Sequence, residues 1–152
     1  ILELGAYFYI LIKNENGFER QVAQLKAYYQ DHRDILEDSP RMLHLIGIYL
    51  TYLLSRNMLS KFHIELEMLE EKDRESLHVA TAIQIEQRMM EGGYRKIILD
   101  AKENKSRYLS HFLNRLIESI REKLMDCATK AYTECSIESL KQICILEDQR
   151  EV

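Results

Sequence analysis

Three kinds of side chain in this 152-residue chain could carry chemistry: five histidines, three cysteines and a scatter of glutamates. The histidines are His32, His44, His63, His78 and His111. A zinc-binding helix needs ligands three or four residues apart on one face, as in HExxH. No two of these histidines have that spacing, and His63-Ile64-Glu65 turns its two polar groups to different sides of a helix. Glu65, Glu67, Glu86 and Glu91 offer carboxylates for acid–base work, but that work needs two of them converging on one cleft. A solvated acidic helix face accounts for them equally well. Cys127, Cys135 and Cys144 are odd in number and contain no CxxC pair, which excludes a disulfide framework or a zinc ribbon. Their apolar neighbours predict buried structural thiols. A nucleophilic cysteine would need an activating base that the spacing does not supply. Gly92-Gly93 has no downstream Lys-Ser/Thr and follows no strand, so it reads as a helix terminator rather than a phosphate loop. The residues therefore predict no catalytic group, no cofactor, no metal site and no small-molecule substrate.

The elements that would position these side chains are helices. Five Gly and one Pro among abundant Leu, Ile, Glu, Lys and Arg argue for helix throughout. The central stretch is Met42 to Leu69. Met42 to Leu54 is apolar nearly all round, with His44 and Thr51 as its clearly polar residues, and is too short for a bilayer, which needs about 20 residues. Such a segment belongs inside a helical stack. Asn57 can end it in the left-handed conformation. Leu59, Phe62, Leu66 and Leu69 then mark an amphipathic helix returning against it, making an αα-hairpin. Gly47 would cost that first helix about 1 kcal/mol against Ala, which close approach of a neighbouring helix backbone would offset.

Around this hairpin, Ile1 to Lys13 predicts a mostly buried helix and Asn14 to Gly17 a turn. Phe18, Val22, Leu25 and Tyr29 then mark a helix running to about Leu36, and Ser39-Pro40 is a helix start. Asp73 offers a cap for a helix whose apolar side is Leu77, Ala80, Ile83 and Met90. Tyr94, Ile97, Ile98 and Ala101 make a short helix. Ser106 offers a cap for the helix with the clearest stripe, Leu109, Phe112, Leu113, Leu116, Ile117, Ile120 and Leu124. Ser136 caps a last short helix with Ile137, Leu140 and Ile143. The nine tyrosines, among them Tyr28, Tyr29, Tyr49 and Tyr52, suit core packing more than subunit contacts. Seven or eight helices with no strand predict an all-α fold. Periodicity leaves two forms open, an irregular α-solenoid of helical hairpins and a compact bundle.

Charge narrows the partners. A net charge of −4 and a pI near 5.8 argue against broad binding to nucleic acid or an anionic membrane. Unpaired thiols suit a cytoplasmic or nuclear protein. The opening ILELGAYFYILIK reads as a helix already under way, so the chain is expected to be a piece of a longer one.

Five segments in register carry a resemblance: Ala23 to Tyr29; Leu45-Ile46-Gly47 with Leu53 to Asn57; Phe62 to Glu67; Ile85-Glu86-Gln87 with Met90 to Lys96; and Ile120-Arg121 with Cys127 and Lys130-Ala131-Tyr132. From about Gly17 to Tyr132 they resemble the family of the proteasome's non-ATPase regulatory subunit 8, a PCI-type subunit of the regulatory-particle lid. The resemblance implies a right-handed, TPR-like stack of helical hairpins followed by a winged helix. It also implies a non-catalytic scaffold role in ubiquitin-dependent protein degradation, with other lid subunits as partners. On this reading residues 1–134 form the helical-repeat domain and residues 135–152 the truncated beginning of the winged-helix module. Because that module mediates assembly in the family, Glu138, Lys141 and Gln142 are the expected protein-interface residues. Sister complexes of the same architecture, translation initiation factor three and the signalosome, are the alternative. A DNA-binding winged helix fits less well, since Lys141 and Arg150 stand against Glu138, Glu147, Asp148 and Glu151.

Overall fold

The computed structural model describes residues 1–31, 39–104, 106–132, 134, 136 and 139. Among the described residues there are eight helices and no strand. They are α1 (Leu2–Leu11), α2 (Glu15–Asp31), α3 (Met42–Ser55), α4 (Leu59–Glu67), α5 (Glu71–Arg74), α6 (Leu77–Met90), α7 (Tyr94–Glu103) and α8 (Leu109–Ala131). None is long and apolar enough to cross a membrane. Short turns join α1 to α2, α3 to α4 and α6 to α7, and the fold is an irregular stack of helical hairpins.

The mostly apolar helix α3 is the centre of this stack, packed against α4, α6 and α8. Every residue from Gly47 to Ser55 is buried. Its buried polar groups bond within the helix: the Thr51 hydroxyl donates to the Gly47 carbonyl and the Ser55 hydroxyl to that of Tyr52. That local bonding lets two hydroxyls enter an apolar core without the cost of an unpaired polar group. Asn57 takes a φ of +57° and ends α3 as expected. Gly92, at a φ of +75°, does the same after α6, a conformation that costs a residue without Cβ little.

Gly47 marks a close approach of two helix backbones. A Cβ there would stand 2.8 Å from the carbonyl oxygen of His78 and 2.9 Å from its carbonyl carbon. The backbones of α3 and α6 therefore meet where a methyl group would be, as the mid-helix glycine predicts.

The long stripe on α8 is buried as expected, with Phe112, Leu113, Leu116, Ile117 and Ile120 inside. So is the stripe on α2, where Phe18 is fully buried and Val22 and Leu25 nearly so. Phe18 joins three helices through its ring, with centroids 5.8 Å from Tyr52, 6.3 Å from Tyr49 and 5.5 Å from Phe112. Tyr49 and Tyr52 are core residues, whereas Tyr28 is half exposed.

Four local expectations need correction. First, α1 is not mostly buried: Ala6 and Ile10 are inside, while Leu4, Phe8, Leu11 and Ile12 are exposed. Its main neighbour is α2, and a helix buries only the faces that have neighbours. Second, α6 turns Val79, Ala82 and Ile85 inward and leaves Leu77 and Met90 out. Apolar residues lie on several stripes of this segment, so period alone allows more than one phase, and packing against α3 selects one. Third, Gly17 is in the first turn of α2 rather than in a loop, with the Tyr9 ring over it. Lys13, at a φ of +57°, makes the turn, and the Asn14 side chain accepts the Gly17 N–H. Fourth, the caps shift. Ser39 accepts the Arg41 N–H, three residues before α3 begins, and α8 starts at Leu109, after an Arg107-Tyr108 turn. Asp73 lies buried within α5, leaving Ser76 at the N-cap position of α6. A cap depends on one torsion pair, which a residue preference does not specify to within two positions.

Candidate interaction site

The side chains that might have done chemistry are mostly ties between helices. Glu65 of α4 pairs with Lys26 of α2, and Glu86 of α6 lies 3.5 Å from His63 of α4. Glu67 and Glu91 are exposed. Among the described residues no group of three or more His, Cys, Asp or Glu could hold a metal ion. Cys127 corrects an expectation: it is exposed, not buried. Beyond Leu124 only Ala128 is buried on α8, so apolar neighbours in sequence do not bury the thiol there. Cys135, Cys144 and the expected interface residues Glu138, Lys141 and Gln142 lie outside the described residues, as do His32 and the end of the predicted helix near Leu36. Ser136 does accept the N–H of Ser139, the bond expected of an N-cap.

A polar junction joins α1, α3, α6 and α8. The Tyr7 hydroxyl lies 2.6 Å from His44 Nδ1, and the His44 ring is 4.6 Å from that of His78. Tyr108 closes the group, 4.8 Å from the Tyr7 ring. Burial first, and then His78, hold His44 below its ordinary pKa of 6.5. Burial, reinforced by Glu3, raises Tyr7, so the phenol stays protonated beside His44. A histidine with a lowered folded pKa contributes stability that is complete above 6.5. That stability is lost as pH falls from there through the folded value, because the unfolded chain takes the proton first. Between about pH 7.5 and 5 the urea midpoint should therefore fall, and His44→Gln should fall less. Equal declines in the two proteins would remove His44 as the cause.

A cleft of ≈ 650 Å³ lies between the α1–α2 turn, the end of α3 and one face of α8. Lys13 and Arg56 stand on one side, and His111, Arg115, Glu118 and Glu122 line the α8 side. Glu15, at the start of α2, is the hub behind it. Its carboxylate bonds Arg115 and lies 3.8 Å from Arg56 and 3.5 Å from His111. This charge cluster ties the first turn of α2 to α3 and α8. It was not legible in sequence, because Glu15 and Arg115 are 100 residues apart. The arrangement holds opposite charges on fixed helix faces, which suits recognition of another polypeptide.

Comparison with known proteins places the chain in a family. The family model described as the CSN8/PSMD8/EIF3K family matches residues 40–152. The Arabidopsis thaliana protein named 26S proteasome non-ATPase regulatory subunit 8 homolog A is 30% identical over 152 residues, covering 100% of this chain and 57% of the relative. RPN12 of Saccharomyces cerevisiae, named a 26S proteasome regulatory subunit, is 30% identical over 158 residues, covering 99% of this chain and 57% of the relative. Its Schizosaccharomyces pombe counterpart, rpn12, is 28% identical over 153 residues, covering 99% and 56%. The chain thus spans little more than half the length of these curated relatives. The family match runs through the buried α3 and the α8 stripe, the two elements on which the stack is built, and the relatives extend the similarity over α1 and α2. This chain belongs to the CSN8/PSMD8/EIF3K family.

Proposed function

We propose that this chain is the helical part of a non-catalytic structural subunit of the proteasome regulatory-particle lid. It acts by protein–protein contact with other lid subunits in ubiquitin-dependent degradation, in the cytoplasm and nucleus. One observation carries this reading: similarity along the whole chain to proteins named as non-ATPase regulatory subunits of the 26S proteasome. A stack of helical hairpins supports it, since such stacks work by presenting extended surfaces. In this reading residues 1–134 are a right-handed helical-repeat domain, and residues 135–152 begin a winged helix. Glu138, Lys141 and Gln142 are its assembly contacts. The Ser136 cap is consistent with a helix starting there.

The family description spans three names, and that favours one second reading, membership of a sister complex of the same architecture. Affinity purification of the tagged full-length parent, with mass spectrometry of what accompanies it, separates the two. Proteasome subunits in stoichiometric amount are expected. Subunits of translation initiation factor three or of the signalosome would move the chain to that complex, and bait alone would end both readings.

A further inference from the structure

The cleft behind which Glu15 sits has a charge pattern that a structural role alone does not require. Its volume of ≈ 650 Å³ lies within the range of about 300–1,000 Å³ usual for ligand sites, yet its lining is mostly polar where such sites are mostly apolar. Arg56, Arg115 and His111 share the Glu15 carboxylate. Lys13, exposed on its left-handed turn, projects into the cleft as a cation outside that cluster. Glu118 and Glu122, one helical turn apart on α8, are exposed on the other side. His111 Nε2 is buried, with the Glu15 carboxylate 3.5 Å away.

We propose that this cleft seats a short charged segment of a neighbouring polypeptide, with a carboxylate against Lys13 and Arg56 and a lysine or arginine against Glu118 and Glu122. A phosphate backbone does not fit, because Glu15, Glu118 and Glu122 would face it. A small apolar ligand does not fit either, because it would strip water from charges it cannot pair. A peptide segment with opposite charges a few residues apart satisfies both sides. Such complementarity sets register and partner choice more than raw affinity. The inference rests on the proteasome reading only for which complex supplies the segment.

The test is quantitative co-purification through the tagged full-length parent, comparing wild type with Glu118→Lys/Glu122→Lys and, separately, Lys13→Glu. All three residues are exposed, and melting temperatures checked alongside exclude misfolding. Recovery of at least one accompanying chain should fall on the order of tenfold in both variants. Glu67→Lys/Glu91→Lys, on exposed positions elsewhere, should leave it unchanged. Equal recovery from wild type and the cleft variants overturns the proposal, as does an equal fall in the control. If the accompanying chains are not proteasome subunits, the proteasome reading fails while this comparison still decides the cleft. Recovery of bait alone overturns both.

Discussion

Replacing Phe18 by alanine is expected to lower the stability of this chain by about 3–5 kcal/mol, the largest loss from any single side chain considered. Phe18 is fully buried, and its ring lies within 6.3 Å, centroid to centroid, of Tyr49, Tyr52 and Phe112. Truncation would remove apolar burial, leave a cavity and break three aromatic contacts at once. It would also remove the main apolar anchor between α2 and the α3–α8 core. Val22, Leu25 and the ties from Glu15 and Lys26 would remain. Against a usual total of about 5–15 kcal/mol, the variant would stand near the edge of folding. Urea denaturation followed by circular dichroism measures the loss. Phe18→Leu, which keeps most of the volume, should cost much less. A Phe18→Ala midpoint close to wild type would mean that α2 is not held to the core through this ring.

Gly47→Ala should destabilise, which reverses the usual result for a glycine inside a helix. On propensity alone, alanine gains about 1 kcal/mol. Here the new methyl would meet the backbone of His78 at 2.8–2.9 Å, and backbone cannot rotate aside as a side chain can. Overpacking of this kind costs about 1–3 kcal/mol, so the net effect is a loss, with α6 pushed away from α3. A larger residue, as in Gly47→Leu, should prevent the two helices from packing. For a domain of this size each kcal/mol moves the melting temperature by about 2–4 °C. A Gly47→Ala protein that melted above wild type would show that the two backbones are farther apart than the structure has them.

Reading the chain before its fold worked best where one pattern had one solution. The segment from Met42 to Leu54 has no polar face, so burial on all sides was the only way to keep it from water, and α3 is central. The α8 stripe has a single apolar side, and it is the buried one. Gly47 announced a close helix contact because a glycine there has a local cost that something must offset. Reading failed where patterns were degenerate. The residues of α6 allow several inward faces, and those of α1 are apolar on more faces than have neighbours. Cys127 has apolar sequence neighbours and yet is exposed.

By itself, then, the sequence determined the helical class, most helix positions, the identity of the central hairpin and, through residues in register, the family. These depend on local periodicity and on residue types along the chain, which survive without knowledge of what packs where. Only the tertiary structure decided which face of α6 turns inward, that α1 keeps an apolar face in solvent, and that Glu15 gathers Arg56, His111 and Arg115 behind a charged cleft. The physical reason is range. Helix formation is set by interactions within four residues, whereas the cleft requires Lys13 of the α1–α2 turn, Arg56 at the end of α3 and Glu118 of α8 to be brought together, and only the packing of the helices around α3 fixes that distance.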